Sequence, residues 1–345
     1  MFIQYDIDFN ELIPSLPEEL ALECLTRLHY SVHQVAAQVC KKWRLLIKSK
    51  EFYDHRKQTG HTHVAACLVQ ALPVASEAKP VGHPSYGVSV FDPVSRSWDR
   101  VDPVSKYPNG LPLFCQLAHS EGNLILMGGW DPSSWEPVRD VFVYEFTTRK
   151  WTQHAPMPSK RSFFANGVSG GRVYIAGGHD ENKNALNSAW MFDIKNNEWT
   201  ELTRMIEERD ECQGLVIGSE FWVVSGYDTN NQGRFKSSVQ VLDIEIGQWH
   251  RVDDAWKMSQ CPSCGVGIGE NGNLFCWSEF NSAVQVAACG VDLGGRTLVT
   301  GSPYQGAPHG FFIVDKGYGQ NGKLMKIDVP DEFSGFVQSG CFVEI

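Results

Sequence analysis

Three stretches of this chain are copies of one another: NLILMGGWD (123–131), RVYIAGGHD (172–180) and EFWVVSGYD (220–228). Each is an apolar run that ends in Gly-Gly or Ser-Gly, then an aromatic residue or histidine, then aspartate. The second glycines fall at 129, 178 and 226, steps of 49 and 48. A second marker, an acid with tryptophan six positions on, recurs as Asp92–Trp98, Glu145–Trp151, Asp193–Trp199 and Asp243–Trp249. The same rhythm extends to Asp292, where Leu298 replaces the tryptophan, and to a shortened last copy with Asp328 ahead of Phe333. Six units then fill the chain from about residue 62 to its end. A unit of this size cannot bury both its own faces, so copies must stack on one another.

The local chemistry is that of a β-propeller. Runs such as GRVYIAGG have the β-branched and aromatic content of strands buried between neighbouring sheets. Gly128, Gly129, Gly177, Gly178 and Gly226 allow tight turns where backbones crowd. Trp98, Trp151, Trp199 and Trp249 follow polar turns such as DIKNNEW and are expected to pack back between blades. Six blades is the expected count, with five as the alternative because the last two units are degenerate. The first unit has strands at Val64–Val69 and Tyr86–Phe91 but no glycine-punctuated strand before them. The terminal FVQSGCFVEI is like the opening strands FFANGVSG and CQGLVIGS, so Val337–Val343 is expected to close the ring and remove an edge.

The head of the chain is built differently. In LIPSLPEELALECLTRL (12–28), Ser15 is placed to N-cap a helix, in a capping box with Glu18, and Pro17 lies in the first turn. Leu20, Cys24, Leu25 and Leu28 follow on one stripe. A second helix is expected from His33 to about Ser49, with Val35, Val39, Trp43 and Leu46 in its apolar row. Fewer than 45 residues cannot support a sizeable core alone, so part of this apolar surface is expected to belong to another protein. The alternative is a mini-bundle packed only on the propeller. The organisation expected is therefore a helical domain at 11–55, a linker at 56–62 and a propeller at 63–345.

The repeats resemble the kelch family, and the head resembles an F-box through Leu16, Pro17, Leu20, Leu25, Leu28, Val39, Cys40, Lys41, Trp43, Arg44, Leu46 and Ile47. Cys24 and His29 depart from that motif. Over nearly its full length the chain resembles the plant F-box/kelch-repeat proteins of the Kiss-Me-Deadly group, through GLPLFC, MPSKRSFFA, AGGHDENKNAL, ERDEC and VQSGCFVEI. The resemblance implies a non-catalytic receptor in a Skp–cullin–F-box ubiquitin ligase. Leu16, Pro17, Leu20, Leu25, Leu28, Val39 and Trp43 would contact the Skp adaptor or hold the helices that do. It also implies phenylalanine ammonia-lyase or type-B cytokinin response regulators as targets for proteasomal degradation. A kelch scaffold that sequesters a partner without ubiquitin transfer is the competing reading.

Loops after the diglycines and loops before the innermost strands should share one face. Trp130, His179 and Tyr227 stand at the first position, Arg161 and Arg209 at the second, and residues at these positions line ligand pockets in kelch domains. Such a rim, with arginine and exposed aromatics, has the chemistry of an interface, and its two arginines fit an acidic or carboxylate-bearing segment. The alternative is that these residues only pack or cap loops.

Net charge of −10 argues against a general nucleic-acid or anionic-membrane binder. The basic run Lys41–Lys57 reads as a solvated helix face. No apolar stretch is long enough for a membrane helix. MFIQYDIDFN, with two acids and no bases, is unlike a secretory or transit leader. No Asn-x-Ser/Thr sequon occurs, and the ten cysteines sit mostly in apolar runs, like buried thiols. The expected location is cytoplasm, nucleus or both. GIGENG (267–272) precedes a strand and not a helix, which makes it a hairpin turn. CPSC (261–264) lacks a partner pair, and His61, His63 and Cys67 run from linker into strand. No metal, cofactor or catalytic residue is expected.

Overall fold

Each complete repeat folds into a four-stranded antiparallel sheet, in a computed structural model that describes residues 12–73, 84–257, 262, 265–269, 272–315 and 324–345. The first sheet contains β1 (Val64–Ala71), β2 (Tyr86–Asp92) and β3 (Ser97–Arg100). The second runs from β4 (Gln116–Ser120) through β5 (Asn123–Met127) and β6 (Val141–Glu145) to β7 (Lys150–Gln153). The third has β8 (Ala165–Ser169), β9 (Arg172–Ala176), β10 (Ala189–Asp193) and β11 (Glu198–Glu201). The fourth has β12 (Gln213–Ile217), β13 (Glu220–Val224), β14 (Val239–Asp243) and β15 (Gln248–Val252). Next come a two-stranded sheet, β16 (Val266–Ile268) with β17 (Leu274–Cys276), and a helical turn, α5 (Trp277–Phe280). The last full sheet is β18 (Val286–Asp292), β19 (Arg296–Ser302), β20 (Gly310–Asp315) and β21 (Met325–Lys326).

The C-terminal strand, β22 (Val337–Glu344), completes the first sheet as its innermost strand. It pairs antiparallel with β1 from Val64↔Glu344 to Val69↔Ser339, as the Val337–Val343 reading expects. Among the described residues the ring thus has five four-stranded blades and, in a sixth position, the two-stranded sheet. Segments of β22, β4, β8, β12, β16 and β18 all line one central channel.

Burial explains the apolar runs. On β5, Leu124, Ile125, Leu126 and Met127 are all fully buried, because second strands are covered on both faces by neighbouring blades. Each such side chain contributes about 1.5–3 kcal/mol. The tryptophans tie each blade to the one before it. Indole Nε1 of Trp151 donates to the Asp102 carbonyl at 2.7 Å, that of Trp199 to Ala155 at 2.9 Å and that of Trp249 to Thr203 at 2.7 Å. Trp98, whose neighbour is the last blade, packs instead on Phe311 and Phe333, with ring centroids 5.4 and 5.6 Å away.

The marker acids cap hairpins. Asp193 Oδ1 accepts from Asn196 N at 2.9 Å, and Asp243 Oδ1 accepts from Glu245 and Ile246 N at 2.9 Å. Asp292 makes the same turn with Gly294 N at 2.9 Å, but at the end of an innermost strand, with Leu298 on the second strand. The fifth marker is therefore out of phase, because this turn chemistry suits any hairpin and not only the outer one. Asp328 and Phe333 form no blade; Phe333 lies in a short helical turn that leads to β22.

The diglycines face backbone. A Cβ on Gly129 (φ 95°) would stand 2.6 Å from the Leu113 carbonyl and 2.8 Å from Cys115 N, whereas one on Gly233 (φ 74°) would meet nothing within 4 Å. Both carry the left-handed penalty for alanine, about 1 kcal/mol. We expect Gly129→Ala to cost about 2 kcal/mol more than Gly233→Ala, measured as the difference in unfolding free energy; equal costs would refute the close-approach account.

The head folds as α1 (Glu18–Thr26), α2 (His33–Val39), α3 (Lys41–Ile47) and α4 (Lys50–Gln58). Four expectations are corrected here. Ser15 does not cap: it adopts φ 68°, and α1 begins after Pro17 without a side-chain cap. The expected single helix from His33 breaks at Cys40, which is extended (φ −155°, ψ 169°) and whose Sγ accepts from Trp43 N at 3.4 Å. The expected linker 56–62 is helical through Gln58. Arg56 is 2 % exposed and donates to the carbonyls of Thr26, Leu28 and His61 at 3.1, 3.2 and 2.8 Å. Its guanidinium caps the carbonyl end of α1 and binds the head to the chain entering β1, so the basic run is not simply a solvated face.

Seven cysteines are free thiols among the described residues; Cys67, Cys115, Cys212 and Cys276 are buried as expected, whereas Cys24 and Cys40 are exposed and Cys289 is disulfide-bonded. No helix among the described residues is long and apolar enough to cross a membrane. Of CPSC only Pro262 is described, and Glu270 and Asn271 of GIGENG lie outside the described residues.

Candidate functional site

The two predicted loop families are joined by reciprocal backbone bonds. Leu113 and Trp130 exchange N–H···O bonds of 2.7 Å each; Ser162 with His179, and Asp210 with Tyr227, do the same at 2.8–3.3 Å. These bonds place Trp130, His179 and Tyr227 side by side at one mouth of the channel. The residue after each partner, Phe114, Phe163 and Glu211, is left-handed in all three blades, with φ 57°, 54° and 49°. Non-glycine residues hold this conformation at a cost of about 1 kcal/mol or more. The result is a pocket of about 340 Å³ between Trp130, Phe114, Phe163, Tyr227 and Glu211. Phe114, Phe163 and Glu211 also line the channel, whose volume is about 430 Å³, so the pocket opens at its rim.

Hydrogen bonds fix the walls. Trp130 Nε1 donates to His179 Nε2 at 3.2 Å, and His179 Nδ1 lies 2.8 Å from Asp210 Oδ1. Indole is a donor only, so Nε2 must be the acceptor and Nδ1 carries the proton toward the carboxylate. Tyr227 Oη donates to Glu211 Oε1 at 3.0 Å. Burial first, and then the Asp210 and Glu211 carboxylates, hold the Tyr227 phenol above its ordinary range. The phenol therefore stays a neutral hydrogen-bond donor.

Arg161 and Arg209 do not join this pocket. Both are completely buried. Arg161 donates to the Gly177 carbonyl at 3.2 Å and to Ser159 and Ser188 Oγ at 2.9 Å each. Arg209 donates to the Ser225 carbonyl at 3.2 Å and to Ser238 Oγ at 2.7 Å, and lies 3.3 Å from Glu207. Burial lowers the Arg161 pKa to about 10, which leaves it charged at neutral pH. Each arginine fastens the end of a second strand to the start of the third within its own blade. The carboxylate-binding rim is thereby withdrawn.

The residues expected at an adaptor interface divide. Leu16, Leu20 and Val39 are exposed at 39, 54 and 62 %, together with Pro17 and the neighbouring Val35. Leu25 is buried with Ala21, Leu46, Ile47 and Phe52, while Leu28 and Trp43 pack against that cluster. Trp43 Nε1 also donates to the Leu12 carbonyl at 2.7 Å. An inner set thus holds the helices and leaves an outer apolar row exposed.

Strand direction places the head and the pocket at opposite mouths. β4 and β6 run from the pocket end to the far end, where the head meets their turns. Tyr30 packs edge-on against Phe146 at 6.1 Å, and Lys50 pairs with Glu121. Lys57 Nζ lies 2.7 Å from Glu344, and His29 Nε2 lies 2.9 Å from Asp92. Cys67 is buried in β1 and His63 Nδ1 lies 3.4 Å from Arg56, so these residues and His61 do not converge as ligands.

Sequence reasoning missed Phe114, Phe163, Glu211 and the junction residues Arg56 and Glu344. Phe114, Phe163 and Glu211 are spaced by 49 and 48, which was a usable signal. The Arg56 and Glu344 contacts had none.

Family models match both parts: an F-box domain over residues 13–55 and the KLHDC2/KLHL20/DRC7 Kelch-repeats domain over residues 60–267. F-box/kelch-repeat protein At2g44130 of Arabidopsis thaliana is 38% identical over 301 residues, 78% of this chain and 73% of that protein. Two further Arabidopsis thaliana proteins, F-box/kelch-repeat proteins At1g15670 and At1g80440, are each 34% identical over 363 residues, 97% of this chain and 100% of theirs.

Proposed function

Because this chain belongs to the plant F-box/kelch-repeat family, we propose that it is the substrate-recognition subunit of a Skp–cullin–F-box ubiquitin ligase. The F-box would dock on the Skp adaptor and through it on a cullin, and the propeller would hold a protein for ubiquitination and proteasomal degradation. The observation that carries this reading is the opposed pair of surfaces: an exposed apolar row on the F-box at one mouth, and an aromatic pocket at the other. A receptor needs both, because its work is to raise the concentration of substrate near a charged ubiquitin carrier. No chemistry is required of the chain itself.

The finer assignment is to the Kiss-Me-Deadly group, with phenylalanine ammonia-lyase or type-B response regulators as targets, acting in cytoplasm, nucleus or both. The test is reconstitution with adaptor, cullin, ubiquitin enzymes and each of these two candidate substrates. Ubiquitin transfer to one of them is expected, and Trp130→Ala should reduce it at least tenfold while adaptor binding is unchanged. Capture of a candidate without any ubiquitin transfer would favour the sequestering scaffold.

A further inference from the structure

We propose that the pocket at the channel mouth takes an arginine side chain of the captured protein, between its aromatic walls and the Glu211 carboxylate. This rests on the receptor reading above and names what the receptor binds.

Four observations point to a cation. The walls are aromatic: Trp130, Phe114, Phe163 and Tyr227 line the space, and the Phe114 and Phe163 ring centres lie 4.4 Å apart. Aromatic faces attract cations, and guanidinium most readily because it also stacks. The charge is complementary. Among the described residues, the ionisable lining residues other than His179 and Tyr227 are Asp210, Glu211 and Lys183, while Arg161 and Arg209 point away into their blades. Two carboxylates line the pocket: Asp210, bonded to His179, and Glu211, whose Oε1 accepts from the Tyr227 hydroxyl. The protein's own cation already reads this surface, since Lys183 Nζ stands 6.0 Å from the centre of the Trp130 ring. Lys183 is exposed on a loop, with φ 60°, so an incoming guanidinium can displace it. Finally, a volume of about 340 Å³ admits one long side chain with its stem packed on the aromatics.

The sign of two substitutions separates this from a merely greasy pocket. Glu211→Gln should weaken arginine binding, and Lys183→Met should strengthen it by removing a competitor. The experiment uses the full chain bound to its adaptor and follows the Trp130 indole N–H resonance, assigned by its loss in Trp130→Phe. The probes are acetyl-Gly-Arg-Gly-amide and the matching Glu and Leu peptides. The arginine peptide should bind about tenfold more tightly than either other peptide. Glu211→Gln should lower its affinity about fivefold, and Lys183→Met should raise it about threefold. Equal binding of the Leu peptide, preference for the Glu peptide, no response to any peptide, or insensitivity to both substitutions would each overturn the arginine assignment. Capture of the two candidate substrates by Trp130→Ala is measured in parallel. If capture falls and the peptides are not discriminated, only the arginine assignment fails. If capture by wild type and Trp130→Ala is equal, the pocket is not the receptor site.

Discussion

Arg161→Ala is expected to destabilise the propeller by about 3–5 kcal/mol and to lower its melting temperature by roughly ten degrees. The side chain is completely buried and spans one blade from the loop before β8 to the Gly177 carbonyl and Ser188. Truncation leaves those buried acceptors without their donor, and each unsatisfied group costs about 1–3 kcal/mol. A cavity adds to this. Glutamate at the same position should be worse, because it would set a carboxylate against carbonyl oxygens. Lysine should recover part of the loss, since it keeps the charge but cannot fork between the Gly177 carbonyl and the two serine hydroxyls. Calorimetry on the three variants checks the order. A folded, wild-type-stable Arg161→Ala that had lost only substrate affinity would restore the rim reading and remove the buried-fastener account.

That contrast shows how far the sequence could be read. Arg161 and Arg209 are 48 positions apart, one repeat period. A residue type that recurs at the period is doing the same job in each blade, which here is structural. The positions after the diglycines keep their backbone role but change identity, from tryptophan to histidine to tyrosine, and these side chains converge on the pocket. Periodicity therefore exposed the strands, the hairpin acids and the ring closure, because each depends on local patterning repeated many times. It said nothing of the junction, where the Lys57–Glu344 and Arg56–Thr26 contacts join residues distant in the chain. The break at Cys40 was hidden for another reason. No glycine or proline marks it, and the cap is supplied by a thiol in place of the usual oxygen.

Replacing Leu16 and Leu20 together by alanine is expected to weaken adaptor binding at least a hundredfold without unfolding the chain. Both side chains project from the start of the head at 39 and 54 % exposure, so the free chain gives up little when they are shortened. A leucine buried in an interface contributes about 1.5–3 kcal/mol, and two of them span two to four decades in affinity. Pro17 is left in place because it occupies the position before α1, where φ −51° starts the helix, and changing it would confound docking with folding. Leu25→Ala is the counter-case: at 2 % exposure, it should cost the head about 2–5 kcal/mol and lose adaptor binding only as the helices unfold. Circular dichroism and adaptor titration on both variants separate the two routes. Substrate capture should be unchanged in the Leu16 and Leu20 variant, because the pocket lies at the opposite mouth and, among the described residues, shares no partner with the head, so the effects should be independent. Undiminished adaptor binding by that variant would mean that the outer apolar row of the F-box is not the docking surface.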